Sequence, residues 1–284
     1  MKILSRIYIA LILLFLFAPI FVMMIFSFNG SSSTAAFSGF SFQWYDVLFH
    51  DEKAGAALLN TLKLAVLSSV IATVLGTIAA VGLSRLKRRG VRDTIQTVTN
   101  IPMMNPDIVT AVSMLMFFVF VGNALKLESN RSFATVLVAH ITFNLPYVIL
   151  SIMPKIRQMD KHLLEAAQDL GCTPIQTFFR VELPVILPGI LSGLLMAFTL
   201  SLDDFIITLF TKGIGFETLP TYIYAQTRVR VGPDMYALST LIFLVILVLL
   251  ILSNVLQAQM DARRDPKKIA ARAAKKKKKL KENQ

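Results

Sequence analysis

The chain has 284 residues, 55% of them hydrophobic and 16% charged, with a mean hydropathy of +0.65; these values exclude an ordinary soluble domain and make a bilayer the relevant solvent. A formal net charge of +12 raises nucleic acid as a partner, but the placement of the basic residues points to membrane topology instead. One cysteine, Cys172, excludes an intrachain disulfide and a multi-cysteine metal site, and His50, His140 and His162 are scattered without ligand spacing.

Six apolar stretches occur in chain order, roughly 7–28, 58–84, 101–122, 133–153, 185–210 and 236–256. Each reaches about 20 residues, enough to cross a hydrocarbon core of about 30 Å. Lys2 and Arg6 give the first stretch the look of a signal peptide. Its apolar run exceeds the roughly 7–15 residues of an h-region and no small-x-small site follows at once, so it reads as a retained anchor. The loop 29–57 carries Trp44 and Tyr45. These aromatics suit ammonium groups by cation–π contact or, equally, an interfacial belt.

The second stretch ends in Arg85, Lys87, Arg88, Arg89 and Arg92. The third contains Asp107 near its start. The fourth leads into a polar segment, 155–184, whose residues specify two short helices. Asp160 is an N-cap, with Met159 and Leu164 placed as a hydrophobic staple across it. Leu163, Ala167 and Leu170 form one apolar face, away from Glu165, Gln168 and Asp169. Gly171 occupies the left-handed position that ends a helix. Thr173, Pro174 and Gln176 then supply the cap, the first helical position and the capping box of a second helix, which carries Phe178 and Phe179. Such an elbow, polar on one side and apolar on the other, fits a groove on a soluble partner or else packs on its own bundle.

The fifth stretch carries Asp203 and Asp204 toward its outer end. An acid inside a span costs about 2.5–3.5 kcal/mol on insertion scales, so it lines a pathway or has a partner. Adjacent helical positions diverge by about 100°, so one of the two faces the path and the other a neighbouring span; Ser201, about 200° from Asp203, does not share its face. No basic residue interrupts 185–210, which favours a cationic over an anionic cargo. Gly76, Gly82, Pro146, Pro184 and Pro188 supply kinks or close packing. After the loop 212–234, with Tyr222 and Tyr224, and the sixth stretch, an Ala/Lys-rich tail from Asp261 onward contains five consecutive lysines, Lys275 to Lys279. The tail reads as disordered, lying free or against anionic lipid.

Placing the termini, the Arg85–Arg92 loop and the 155–184 segment on one side puts 22 of the 29 basic residues there. By the positive-inside rule that side is cytoplasmic, and both termini lie on it. The expected class is therefore an all-α membrane protein: a six-span domain over 1–258 and a basic tail over 259–284. Nothing resembles a phosphate-cradling loop or a nucleophile elbow, so no catalysis is expected of the chain itself.

The string EAAQDLGCTPIQTFFRVELP resembles the EAA signature of permease subunits in binding-protein-dependent ABC importers, through Glu165, Ala166, Ala167, Gly171, Val181, Leu183 and Pro184, with Val where Ile is commoner. FAPIFVMMIFSFN, NTLKLAV, IPMMNPDIV, and SLDDFIIT followed by LPTYIY are similar to the second permease subunit of spermidine/putrescine importers, the PotC type. The resemblance covers most of 1–258. It implies a type I ABC importer permease fold in which Glu165, Ala166, Ala167, Gly171, Leu183 and Pro184 couple to an ATPase. It also implies a homologous permease partner (PotB type), an ATPase dimer (PotA type) that holds ATP and Mg, and a polyamine-binding protein (PotD type) received by 29–57 and 212–234. Asp107, Asp203, Asp204 and Trp44 are then the residues expected to meet or steer polyamine in the bacterial inner membrane. Three rivals stand beside it: a permease of the same superfamily for an iron complex or opine-like amine; an ion-gradient-driven transporter, which has no need of the hairpin; and a non-transporting membrane scaffold, which leaves the intramembrane acids unexplained.

Overall fold

In the computed structural model, residues 2–31, 36–124, 126, 132–160, 162–229 and 232–264 are described. Lys161, Arg131, Arg230 and the tail from 265, with Lys275 to Lys279, lie outside them. Helices in order are α1 (Lys2–Phe26), α2 (Gln43–Phe49), α3 (Glu52–Arg85), α4 (Arg89–Met104), α5 (Asp107–Ala124), α6 (Phe133–Gln158), α7 (His162–Asp169), α8 (Pro174–Thr177), α9 (Leu183–Asp203), α10 (Ile206–Thr211), α11 (Leu219–Val229) and α12 (Pro233–Arg264). A π-helical turn, Phe178–Glu182, joins α8 to α9 without a break. Among the described residues, six helices are long and apolar enough to cross a membrane: α1, α3, α5, α6, the rod from Pro174 to Asp203, and α12. This is the expected all-α, six-span class.

Three boundaries differ from the sequence expectation. The third span starts at Asp107, not at 101, because Asn105–Pro106 interrupts the helix and assigns Ile101–Met104 to the separate, amphipathic α4. The fifth span ends at Asp203, where the chain turns extended at Asp204 before α10. And α12 carries helical structure through Asp261 to Arg264, into what the sequence suggested was tail.

The chain divides into two compact units, Met1–Thr61 with Glu217–Leu249, and Leu62–Phe216 with the chain from Leu250. In the first, Ala54, Ala57, Leu219, Tyr222, Met235 and Leu238 form the core. Buried Thr61 accepts the N–H of Leu219 at 2.7 Å, and Asn60 donates to the Glu217 carbonyl at 3.0 Å. Both bonds satisfy groups at the start of α11 that water cannot reach. Ahead of them, Asn29 knots a loop: its side-chain oxygen accepts from the Ser38 amide at 2.8 Å and its side-chain amide donates to the Ala36 carbonyl at 2.9 Å. Phe28 stacks on Phe40 beside this knot, with ring centroids 4.7 Å apart.

In the second unit α6 is the central element, and its core with α3 and α9 includes Ala72, Val148, Ile152 and Ile186. Glycines set the approach of the helices. A Cβ on Gly189 would stand 2.9 Å from the Ser151 carbonyl oxygen and 3.1 Å from the Ile152 Cα, and one on Gly76 would stand 2.6 Å from a Val148 methyl. The backbones thus meet closely, the small-residue packing expected where lipid supplies no hydrophobic drive between helices. Gly76 is a packing residue; Gly82, with open space around it, is not.

Candidate functional site

The elbow between α6 and α9 is built by local chemistry alone. The Asp160 carboxylate accepts the His162 amide at 3.0 Å, capping α7. At the other end Gly171 takes φ +87°, its N–H reaching the Gln168 carbonyl at 2.9 Å while the Cys172 N–H reaches that of Ala167 at 3.0 Å. Those two bonds are the complete Schellman pair. Thr173 then accepts from the Gln176 amide at 3.3 Å as the Gln176 side chain accepts from the Thr173 amide at 3.0 Å, a reciprocal capping box ahead of Pro174. Several orphan backbone groups at the ends of these two short helices are thereby paired inside 17 residues, so the turn between them is set by local bonds.

Its apolar residues are another matter. Ala167 is buried at 8% exposure, but Leu163 stays 47% and Leu170 86% exposed, with Ile175 and Phe179 also open. Glu165 projects beside them, 69% exposed, its carboxylate 3.2 Å from His162 Nδ1. Ala166 is exposed, Leu183 half-buried, and Pro184 an exposed second residue of α9. The elbow therefore does not bury its leucines against its own bundle; it presents them.

What anchors the elbow was not foreseen. Glu182, one residue before Leu183, is buried with its side chain at 2% exposure, and Arg85 at the end of α3 donates to it at 2.5 Å. Phe178 packs into the core of α3, α6 and α9. Phe178 and Glu182, four places apart, share the inward face of the π turn. An acidic residue inside an apolar stretch, with a run of arginines one loop earlier, was the available signal.

The two aspartates of the fifth span separate. Asp203 is the exposed last residue of α9. Asp204, 9% exposed, accepts the amides of Ile207 at 3.2 Å and Thr208 at 2.9 Å and the Thr208 hydroxyl at 2.9 Å, with His140 Nε2 3.3 Å away. Its carboxylate is committed to starting α10 and fastening it to α6. Ser201, on the other side of α9 from Asp203, shares a hydroxyl contact of 2.9 Å with Ser68 and accepts from Asn144 at 2.8 Å. Beyond the break, Ile207 packs with Ala111 of α5 and Ala139 and Phe143 of α6, and the Thr211 carbonyl accepts from Thr135 at 3.0 Å. The acidic pair therefore lies where the fifth span ends, toward the end at which the sequence placed it, with the six residues of α10 following the break.

Asp107 opens α5 as an exposed residue after Pro106. The aromatics named from the sequence all have local partners. The Trp44 indole N–H donates to the Asn29 carbonyl at 2.7 Å, and Tyr45 shares a 2.8 Å contact with Ser27. Arg228 lies over the Tyr224 ring, 4.6 Å from its centroid. Tyr222 donates to Asp51 at 2.6 Å. Burial and then the neighbouring carboxylate push the Tyr222 phenol up to about 12. Burial also works to raise Asp51, but the bonds from Tyr222 and from the Ala54 and Lys53 amides outweigh it and hold the carboxyl below its usual range. Among the described residues no three His, Cys, Asp or Glu side chains group as metal ligands.

Six apolar helices joined by a self-capped elbow with exposed leucines define a multi-pass membrane component. Known proteins make that class specific. The profile described as "Binding-protein-dependent transport system inner membrane component" matches residues 72–266, and the chain belongs to this family of inner-membrane transport components. It is 40% identical over 228 residues to the putrescine transport system permease protein PotI of Escherichia coli (strain K12), covering 80% of this chain and 81% of that one. It is 35% identical over 242 residues to the spermidine/putrescine transport system permease protein PotC of Haemophilus influenzae, covering 85% and 91%. In fold it is similar to a chain of a bacterial ABC transporter involved in the import of the acidic polysaccharide alginate, with a TM-score of 0.73 at 20% identity over 91% of this chain and 95% of that one. Residues 165–184, the EAA-like string, fall within the matched segment.

Proposed function

We propose that the chain is one permease subunit of an ATP-driven polyamine importer, forming half of a translocation path and transmitting to it the work of a separate ATPase. The observation that carries the coupling role is the exposure of Leu163, Leu170, Ile175 and Phe179 on an elbow whose two helices are capped by their own neighbours. Apolar side chains on a rigid mount suit insertion into a cleft of a soluble subunit. The pairing of half-exposed Arg85 with buried Glu182, together with Phe178, makes the elbow's foot part of the α3–α6–α9 block, so a push on the elbow moves helices rather than bending a loop. The two polyamine permeases at 40% and 35% identity support the cargo class.

In this reading both termini and the elbow face the cytoplasm, as the basic residues favour. ATP binding closes the paired ATPase subunits (PotA type, holding ATP and Mg), and the elbow follows their clefts inward. The two permeases, this chain and a PotB-type homologue, pass from inward- to outward-facing. A binding protein of PotD type docks on the segments 29–57 and 212–234 and releases its cargo, each ligand acting through its preference for one of two states. Asp203 and Asp107, both exposed on this chain, are the anionic groups that meet the cationic cargo, and Asp204 with His140 sets the break that presents Asp203. Trp44 contributes a ring at the outer loop, its N–H being engaged.

The test is copurification from native membranes followed by uptake in proteoliposomes. The expected result is a complex with a second permease, an ATPase and a binding protein, and vanadate-sensitive uptake for which putrescine and spermidine compete while iron complexes and opine-like amines do not. Uptake that follows an ion gradient and ignores vanadate overturns the coupling role; competition by another solute class alone overturns the cargo. Glu165→Lys is expected to insert normally yet to lose the ATPase in the pull-down.

A further inference from the structure

Helix α4, Arg89–Met104, has no role in the coupling or cargo reading. Every sixteen-residue helix inside a packed domain buries something, yet α4 has no buried residue. Val91, Ile95 and Val98, at i, i+4 and i+7, align with Pro102 as a narrow apolar stripe, and all three are exposed, as are Ile101 and Met104 at the helix's end. The opposite face carries Arg89, Arg92, Asp93, Gln96 and Asn100, and the residues just before the helix are Lys87 and Arg88. Gln96 on that polar face accepts from Arg157 at 3.1 Å, near the end of α6.

Connectivity fixes where α4 lies. The spanning helix α3 ends at Arg85, three residues before it, and α5 begins at Asp107, two residues after it. At 18 residues, about 27 Å, α5 needs its whole length to cross, so Asp107 stands at the membrane surface. α4 is too polar to be a span, so the end of α3, the start of α5 and the end of α6 all lie at one face. A helix of about 24 Å tied to that face at both ends, and in the middle through Gln96, runs along it.

We infer that α4 is an interfacial helix: its Val91–Ile95–Val98 stripe is embedded in the bilayer surface, and Lys87, Arg88, Arg89 and Arg92 engage anionic phosphate headgroups of that leaflet. Four cations against the single carboxylate of Asp93 give the charge complementarity, and the stripe gives the insertion. The arrangement also has α6 hold α4 by its polar side, leaving the apolar side free for lipid. Anchored in this way, α4 is a fixed rail from which α5, and Asp107 at its start, are hung.

Spin labels on the assembled importer in nanodiscs test this, in a Cys172→Ser background shown to retain uptake. One label replaces Val98 and a second, separately, replaces Asn100 on the polar face; Ile95 serves as a further reporter of the stripe. The expected result is an oxygen-over-nickel accessibility ratio several-fold higher at 98 and 95 than at 100. The contrast should be larger in phosphatidylglycerol discs than in phosphatidylcholine discs, and the lipid dependence should vanish in Arg89→Gln/Arg92→Gln. Labels at 95 and 98 shielded from both reagents mean that a protein subunit covers the stripe, and labels open to nickel mean that water does; either result overturns the assignment.

Discussion

The elbow at 160–184 and the acidic break at 203–205 are both interruptions of helix on either side of α9, both begun by a local cap, yet the residues around them are placed differently. The elbow closes its hydrogen bonds with its immediate neighbours in sequence, through Asp160, Gly171, Thr173 and Gln176, and leaves its apolar side chains outside. The acidic break joins a local cap to a reach across the bundle: Asp204 accepts the amides of Ile207 and Thr208, three and four places on, and meets the His140 ring of α6, and its surroundings are buried. A locally capped element can change partners without unfolding, whereas one fastened by long-range contacts keeps its place. The first suits a part that a motor grips, the second a part that must hold a charge at a fixed depth.

The contrast is broken most decisively by charging the exposed leucines. Leu163→Asp with Leu170→Asp should leave thermal melting of the isolated permease within about 0.5 kcal/mol of wild type. Each residue, if it is an anchor worth about 2 kcal/mol, should weaken ATPase binding roughly thirtyfold, read by titration of detergent-solubilised permease with the ATPase. Melting that drops sharply, with binding retained, would show that the leucines belong to the fold. At the other region the pattern inverts. Asp204→Ala leaves two amides and the Thr208 hydroxyl without their acceptor, so a loss of about 2–3 kcal/mol in thermal stability is expected. Asp203→Asn should leave stability within about 0.5 kcal/mol and cut polyamine uptake while basal ATP hydrolysis persists.

A smaller effect sharpens the comparison from within the rigid block. Gly189→Ala forces α9 away from the Ser151 carbonyl, at a cost of about 1–3 kcal/mol in melting, while Gly82→Ala, with open space, should be neutral or stabilising. Least of all, Tyr222→Phe removes one bond to Asp51, worth about 1 kcal/mol. The accompanying pH dependence has a definite sign. Asp51 is depressed in the fold, so its contribution is complete above its ordinary carboxylate value and disappears as pH falls through the lowered one. Tyr222 is raised, so its contribution is complete below its ordinary phenol value and is lost as pH climbs through about 12. Melting curves of wild type and Tyr222→Phe should converge at both extremes.

The elbow was legible in the sequence because capping is a matter of residues within four places of one another: Asp160, Gly171 and the Thr173–Gln176 box each do in space what their spacing announces. The acidic break was not, since the apolar run from 185 to 210 conceals an end of helix, and the burial of Asp204 against His140, 64 positions earlier, is set only by the fold. Arg85 with Glu182 is a similar case, two charges in distant stretches that only the fold pairs. The misplaced start of the third span has a simpler cause. Ile101–Met104 is apolar enough to join the next run, and Asn105–Pro106 alone marks the boundary. Six spans were readable all the same, because a bilayer demands continuous apolar length whatever the packing.

The glycines that let α9 and α3 touch α6 have a consequence for how such a protein can change over generations. With Gly189 and Gly76 admitting no larger neighbour, the seam between these helices is frozen, and drift in cargo preference must be written elsewhere. Asp203 lies exposed at the end of α9, beyond those glycines, so if it meets the cargo as proposed, a change there leaves the close-packed seam inherited intact.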